Sequence, residues 1–168
     1  PSLQTPPSLD DWPEITWEVG DSVRRVNLDT VTPEDVKDWK TGETVLLSGK
    51  MLTGRDAAHK RMVDMIDKGE ALPVDFKGKF IYYVGPVNPV RDEVVGPPGP
   101  TTSTRMVMCP ETMLAKTGLL GMVGKAERGP VAIQAIKDHK AVYLMAVGGA
   151  AYLVSKAIRK SRVVAFEE

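Results

Sequence analysis

From residue 44 onward the sequence alternates four times between a short β-rich run and a segment with helical spacing, and glycine or proline marks most of the changes. Thr44-Val45-Leu46-Leu47-Ser48 ends at Gly49-Lys50. Arg55 to Lys68 then sets Ala58, Met62, Met65 and Ile66 on one helical face before Gly69 stops it. Phe80-Ile81-Tyr82-Tyr83-Val84 reads as a strand, and Arg105 to Thr117 as a helix closing at Gly118 despite the interruption at Pro110. Leu119 to Val123 is the next strand, Gly124 to Gly129 a loop, and Pro130 the first position of a helix running to Lys140. Val142 to Val147 is a further strand, Gly148-Gly149 a tight turn, Ala150 to Ile158 a helix, and Arg162 to Phe166 a last strand. This alternation predicts an α/β fold with a partly parallel sheet and flanking helices. Ahead of it, Ile15 to Val19 and Val23 to Leu28 are short β-like pieces, and Thr32-Pro33-Glu34-Asp35 reads as a capped helix start.

With 168 residues and 42% hydrophobic content, the chain is long enough for one domain with a real core. Residues 1–20, rich in proline and serine with Trp12 and Trp17, read as a linker from a preceding domain, and residues 21–168 as the domain itself. Lysine plus arginine balances aspartate plus glutamate at 22 each, so no net field favours nucleic acid or an anionic membrane, and any anion site must be local. No run of about 18 apolar residues is present for a membrane span. The lone Cys109 excludes an internal disulfide and, with only His59 and His139 beside it, a self-contained metal site. A reducing compartment follows: the cytoplasm, or the mitochondrion in a eukaryote.

The tract Gly96-Pro97-Pro98-Gly99-Pro100-Thr101-Thr102-Ser103-Thr104-Arg105-Met106 is poor core material. Its glycines and prolines hold a loop in one shape and deliver four hydroxyls and a cation to a polar neighbour. In open α/β sheets ligands bind beyond the carboxyl ends of the strands. Three such junctions carry a cation: Gly54-Arg55, Thr104-Arg105 and Gly124-Lys125. A cation in the first turn of a helix opposes the macrodipole by roughly 0.3 to 1 kcal/mol, and a bound anion relieves both. An ion pair of Arg55 with Asp56 or Glu70, and a hydrogen-bonded turn over Thr101 to Thr104, are the ordinary structural uses of the same residues. His59, four residues after Arg55, reads as a partly buried structural histidine, and Cys109 as a small buried hydrophobe. Two arginines and a lysine around hydroxyls suit a small molecule with two carboxylates. Phosphate competes, but neither GxxxxGK[ST] nor GxGxxG occurs.

Three motifs give the chain a resemblance to a known family. They are Gly49-Lys50-Met51-Leu52-Thr53-Gly54-Arg55-Asp56-Ala57-Ala58-His59, then Gly99-Pro100-Thr101-Thr102-Ser103-Thr104-Arg105-Met106, then Gly121-Met122-Val123-Gly124-Lys125-Ala126-Glu127-Arg128-Gly129. With Tyr82 to Pro86 and Gly148 to Ala151, the region from Val26 to Phe166 resembles the C-terminal domain of class I fumarases, the iron-sulfur hydratases, and more distantly the β subunit of L-tartrate dehydratase.

The resemblance implies a swivelling β/β/α domain that closes over an N-terminal domain carrying a 4Fe-4S cluster, which this chain does not itself hold. It further implies reversible hydration of fumarate to L-malate and a homodimeric parent. By motif match Arg55, Arg105 and Lys125 would bind the substrate carboxylates, with Thr102, Ser103 and Thr104 lining the same loop. Thr101 matches the family's base, which removes the proton beside a carboxylate and needs nearby cations to do so. After Arg105-Met106 the family continues with an acidic residue and an aromatic, where this chain has Val107-Met108-Cys109-Pro110. The β half of an L-tartrate dehydratase is the near alternative. A non-catalytic dicarboxylate-binding or assembly module is the alternative of another class.

Overall fold

Along Phe80–Val84 successive side chains point to opposite sides of the strand, and both sides are buried apolar surface. Ile81 and Tyr83 enter one core cluster with Met62, Phe76, Met113, Leu114 and Met122. Phe80, Tyr82 and Val84 enter a second with Val26, Leu28, Val36 and Val123. A strand buried on both faces needs a layer on each side, and the rest of the chain supplies them.

The computed structural model describes residues 20, 23–85, 87–89, 92–103, 110–147 and 151–167. The elements in order are β1 (Arg24–Asn27), α1 (Pro33–Lys37), β2 (Val45–Ser48), β3 (Leu52–Thr53), α2 (Asp56–Asp67), β4 (Phe80–Tyr82), α3 (Pro110–Thr117), β5 (Gly121–Gly124), α4 (Pro130–Asp138), β6 (Val142–Met145) and α5 (Ala151–Ala157). The expected β piece at Ile15 to Val19, residues Thr104 to Cys109 and the turn Gly148-Gly149 lie outside the described residues.

β3, β4, β5 and β6 form one sheet in that order, every neighbouring pair parallel, with Ile81 opposite Leu52 and Met122, and Met122 opposite Tyr143. Parallel neighbours need crossovers, and the crossovers of such units share one hand, so α2, α3 and α4 fall on the same face. Met62, Met113, Leu114 and Ala135 of those helices fill the first cluster. The opposite face is covered by a separate parallel pair, β1 with β2, together with α1 and Val154 of α5. The α/β architecture is therefore three layers, β/β/α. α1 begins as its sequence indicates: Thr32 Oγ1 accepts from the Asp35 amide at 3.3 Å, Asp35 Oδ2 accepts from the Thr32 amide at 2.8 Å, and proline sits at the first turn.

Two expectations need correction. Val45–Ser48 pairs with β1 and not with the main sheet; the edge strand of that sheet is Leu52–Thr53, too short for any periodicity to reveal. The third helix is seen over Pro110–Thr117, and its expected start at Arg105 lies outside the described residues. Arg162 to Phe166 forms no strand. Val163 and Val164 are exposed, and Phe166, at φ 57°, turns its ring onto the first cluster with the Arg61 guanidinium 4.2 Å from its centroid. The β propensity of Val163-Val164 finds no partner strand there, and tertiary packing of Phe166 decides the path.

Met122, wholly buried, and Val163, 61% exposed, test these assignments. In urea denaturation Met122→Ala is expected to lose about 2 to 5 kcal/mol, whereas Val163→Ala stays within about 0.5 kcal/mol of the parent.

Candidate functional site

Beyond Tyr83 the two central strands part. The last rung between them is the Tyr83 amide donating to the Val123 carbonyl at 2.8 Å. The hydroxyl tract then enters the gap: the Thr101 amide donates to Tyr83 O at 2.7 Å, the Lys125 amide to Thr101 O at 3.2 Å, and the Ser103 amide to Lys125 O at 2.9 Å. Thr102 thus bridges Lys125 in parallel sense, and residues 101–103 form a short extra rail between the ends of β4 and β5. Backbone bonding fixes where Thr101 stands far more tightly than a free surface loop would.

The proline-rich lead-in is held as well. The Tyr82 hydroxyl donates to the Pro98 carbonyl at 2.9 Å, and the Gly96 amide to Val87 O at 3.0 Å. Burial raises the Tyr82 phenol above its ordinary value, so it remains a donor.

Arg55 and Lys125 flank this rail. Arg55 follows β3 and occupies the N-cap of α2 with extended backbone, where its side chain makes no cap bond. Its backbone is pinned from behind, because both the amide and the ring Nδ1 of His59 lie within 2.9 Å of the Arg55 carbonyl. A carbonyl only accepts, so Nδ1 carries the proton. Its side chain lies across the end of β4: a Cβ on Gly85 would stand 2.7 Å from Arg55 Cδ. Among the described residues its one ion pair is with Asp56, at 3.5 Å from Arg55 Nε, with both side chains about half exposed, which makes it a weak pair. Lys125 follows β5 directly and is exposed, five residues ahead of α4, so it sits at a strand end and not at a helix start.

Arg55, Thr101 and Lys125 therefore stand at the carboxyl ends of neighbouring rails, spanning about three strand spacings of ~4.8 Å each. Thr101 and Thr102 are half-buried. Ser103 is wholly buried and turned inward, its hydroxyl 2.8 Å from the Tyr143 hydroxyl. Because Tyr143 spends its one proton on Ala126 O at 2.7 Å, Ser103 is the donor to it. Gly124 makes this possible, since a Cβ there would meet Ser103 Oγ at 2.0 Å and the Tyr83 ring at 2.9 Å. Thr104 and Arg105 lie outside the described residues.

Sequence reasoning missed Arg128, Tyr143 and Tyr83. Arg128 is buried, donates from Nη1 to the Ser103 carbonyl, and lies 5.6 Å from the centroids of both tyrosine rings. The available signal was its place four residues after Gly124 in a motif already noted. His59 is 1% exposed and edges onto Tyr83 at 5.3 Å, so its structural reading stands, with the added task of holding Arg55. Among the described residues no group of three His, Cys, Asp or Glu gathers to hold a metal, and no helix is long and apolar enough to cross a membrane.

Burial is the main cause that holds the His59 pKa below the ordinary 6.5; the bond to the Arg55 carbonyl opposes it, the Arg128 charge adds to it, and Asp56 opposes it. The unfolded chain therefore binds the extra proton first. The stability from His59 is fully present above about pH 6.5 and is lost as pH falls toward the depressed folded value, with a slope of at most about 1.4 kcal/mol per pH unit. Urea denaturation from pH 7.5 to 5.5 is expected to show this fall in the parent and a flatter profile in His59→Gln.

The whole chain, residues 1–168, matches the family model described as Fumarase C-terminus. Fumarate hydratase 2 of Leishmania major is 32% identical over 166 residues, covering 95% of this chain and 28% of that enzyme. The L(+)-tartrate dehydratase subunit beta of Escherichia coli (strain K12) is 28% identical over 149 residues, covering 87% of this chain and 72% of that subunit. A Methanocaldococcus jannaschii homologue of that β subunit is 36% identical over 132 residues, 77% of this chain and 68% of the relative. The chain thus spans about a quarter of the fumarate hydratase and about seven-tenths of the β subunits. On a match along its full length, the chain belongs to the fumarase C-terminus family.

Proposed function

We propose that this chain is the substrate-gripping C-terminal half of a class I fumarate hydratase, active in the reversible hydration of fumarate to L-malate when joined to an N-terminal domain. The observation that carries the reading is the rail of residues 101–103 between β4 and β5, with Arg55 on one flank and Lys125 on the other. Cations at the two flanks suit the two carboxylates of a four-carbon diacid, and the fixed backbone of Thr101 between them supports a hydroxyl serving the carbon between the carboxylates. Arg105, three residues beyond the bonded Thr102, is assigned a carboxylate by its motif. Thr102 and Thr104 line the pocket in this reading, and Ser103 serves it from behind as an anchor.

Hydration needs a base for the carbon-bound proton and help for the departing or arriving hydroxyl. Thr101 takes the proton; the cations around it stabilise the oxyanion that this demands. The chain has one cysteine and two histidines, a donor set that does not fit an iron-sulfur cluster. The 4Fe-4S cluster that the family resemblance implies would be held by the N-terminal domain, where it would supply Lewis acidity toward the hydroxyl. What this chain does is hold the diacid, aim its proton at Thr101 and, by closing, exclude water. Residues 1–20 are the link to that domain in this proposal, the assembled enzyme is a homodimer, and its compartment is reducing.

The β half of an L-tartrate dehydratase is the second reading, favoured by the match to β subunits over most of their length. The 168-residue chain alone, with or without iron, is expected to turn over neither substrate; turnover by it alone would overturn the divided-site proposal. Reconstituted with its N-terminal partner, the enzyme is expected to dehydrate L-malate in preference to L-tartrate, and the reverse preference selects the second reading. In that assembly Thr101→Val is expected to lower kcat by about 10² or more with little change in KM. Arg55→Ala should instead raise KM and lower kcat/KM by about 10 to 100-fold, a charged hydrogen bond's worth of binding. Equal losses from the two substitutions would make Thr101 a positioning group only.

A further inference from the structure

Arg128 belongs to no assigned role, yet it is the most expensive side chain in the site to bury. It is 7% exposed, and its Nε and Nη2 have no hydrogen-bond partner. No ion pair among the described residues involves it. Arginine keeps its positive charge, so a buried guanidinium without a carboxylate raises the free energy of the fold unless something else compensates. The two tyrosine faces at 5.6 Å and the Ser103 carbonyl supply part of that compensation.

Its position is specific. Arg128 holds Ser103 O, the Ser103 amide holds Lys125 O, and the Lys125 amide holds Thr101 O, so three successive hydrogen bonds link the buried cation to the two residues that frame the pocket. The charged and titratable groups around it are His59 on α2, Tyr83 beyond β4 and Tyr143 on β6, with Lys125 and Glu127 in its own turn and Arg55 and Asp56 at the start of α2. The charges of that set balance, Arg55 and Lys125 against Asp56 and Glu127, so the excess positive charge is that of Arg128 itself.

We propose that Arg128 is a positioning residue of the hydratase site: an uncompensated buried cation behind the 101–103 rail that favours anionic species in the pocket, both the diacid and the oxyanion formed at Thr101. This rests on the hydratase reading. The charge does the work from behind the rail, without touching the substrate. Its influence already reaches His59 and Tyr143, where the same charge disfavours an imidazolium and favours a phenolate.

The test uses the reconstituted enzyme with Arg128→Gln, which keeps a donor for Ser103 O and removes the charge, and Arg128→Lys, which keeps both. Arg128→Gln is expected to lower kcat at least tenfold and to move the acid limb of the pH–kcat profile upward by about one unit, while Arg128→Lys stays within about threefold of the parent with its limb unmoved. Like behaviour of the two variants would overturn the proposal, since the charge would then be irrelevant. Should Arg128→Gln not fold, Tyr143→Phe decides. It leaves the charge and removes the hydroxyl bonded to Ser103, so an unmoved limb is expected, and a displaced one would assign the effect to the loop's hydrogen bonds. Parent enzyme inactive on every diacid tried would refute the hydratase reading instead. NMR titration of His59 in the 168-residue chain reads the charge independently of activity. Arg128→Gln should move its midpoint upward, and an unchanged midpoint would overturn the proposal.

Discussion

The parting of β4 and β5 after Tyr83 is the constraint from which the rest of the site follows. Two parallel strands that separate leave carbonyls and amides that must find partners, and residues 101–103 provide them one for one. The sheet order β3-β4-β5-β6 contains no reversal, so the crevice where ligands usually sit in open sheets is not produced by topology. Insertion of the hydroxyl rail instead sets Thr101 and Thr102 between the ends of β4 and β5. The Gly-Pro lead-in supports the insertion: its fixed backbone returns the chain to the sheet, and the Tyr82 hydroxyl holds it at Pro98.

Both faces of β4 are committed to cores, which leaves its carboxyl end as the place where side chains of different chemistry can meet. Tyr83 shows the transition. Its side chain belongs to the first cluster, its carbonyl receives Thr101, and its ring faces His59 and Arg128. The apolar core and the polar site therefore share one residue, and packing errors beneath Tyr83 propagate to the pocket in a dense interior.

Much of this was legible in the sequence, and the misses have physical causes. The strand–helix alternation gave the α/β class because β4, α2 and α4 each carry a full period of apolar spacing. Leu52–Thr53 was illegible since two residues carry no period, and with it went the recognition that Val45–Ser48 belongs to another sheet. Val163-Val164 misled because strand propensity describes a half-buried pleated surface, and no edge is offered to these residues. Arg55, Thr101 and Lys125 were visible as cations and hydroxyls at strand–helix junctions. The inward turn of Ser103 was not, because a serine in a hydroxyl run gives no sign of which side it faces. Arg128 was hidden by its own type, since arginine in a polar loop is ordinarily a solvent-exposed group.

That hidden arginine also shows how a chain with no net charge can concentrate positive charge locally at the end of β5. Among the described residues, Arg55 pairs only with a half-exposed aspartate, Lys125 forms no ion pair, and Arg128 is buried among aromatic rings. Closer ion pairs occur away from these three cations, as in the Arg24–Glu43 and Lys37–Glu34 pairs around the small sheet and α1. Segregating charge in this way weakens the isolated fold, because each unpaired cation near the core loses hydration without gaining a partner. Such a departure from local consistency is sustained where binding restores the balance, and the proposed diacid would close it with two negative charges at once.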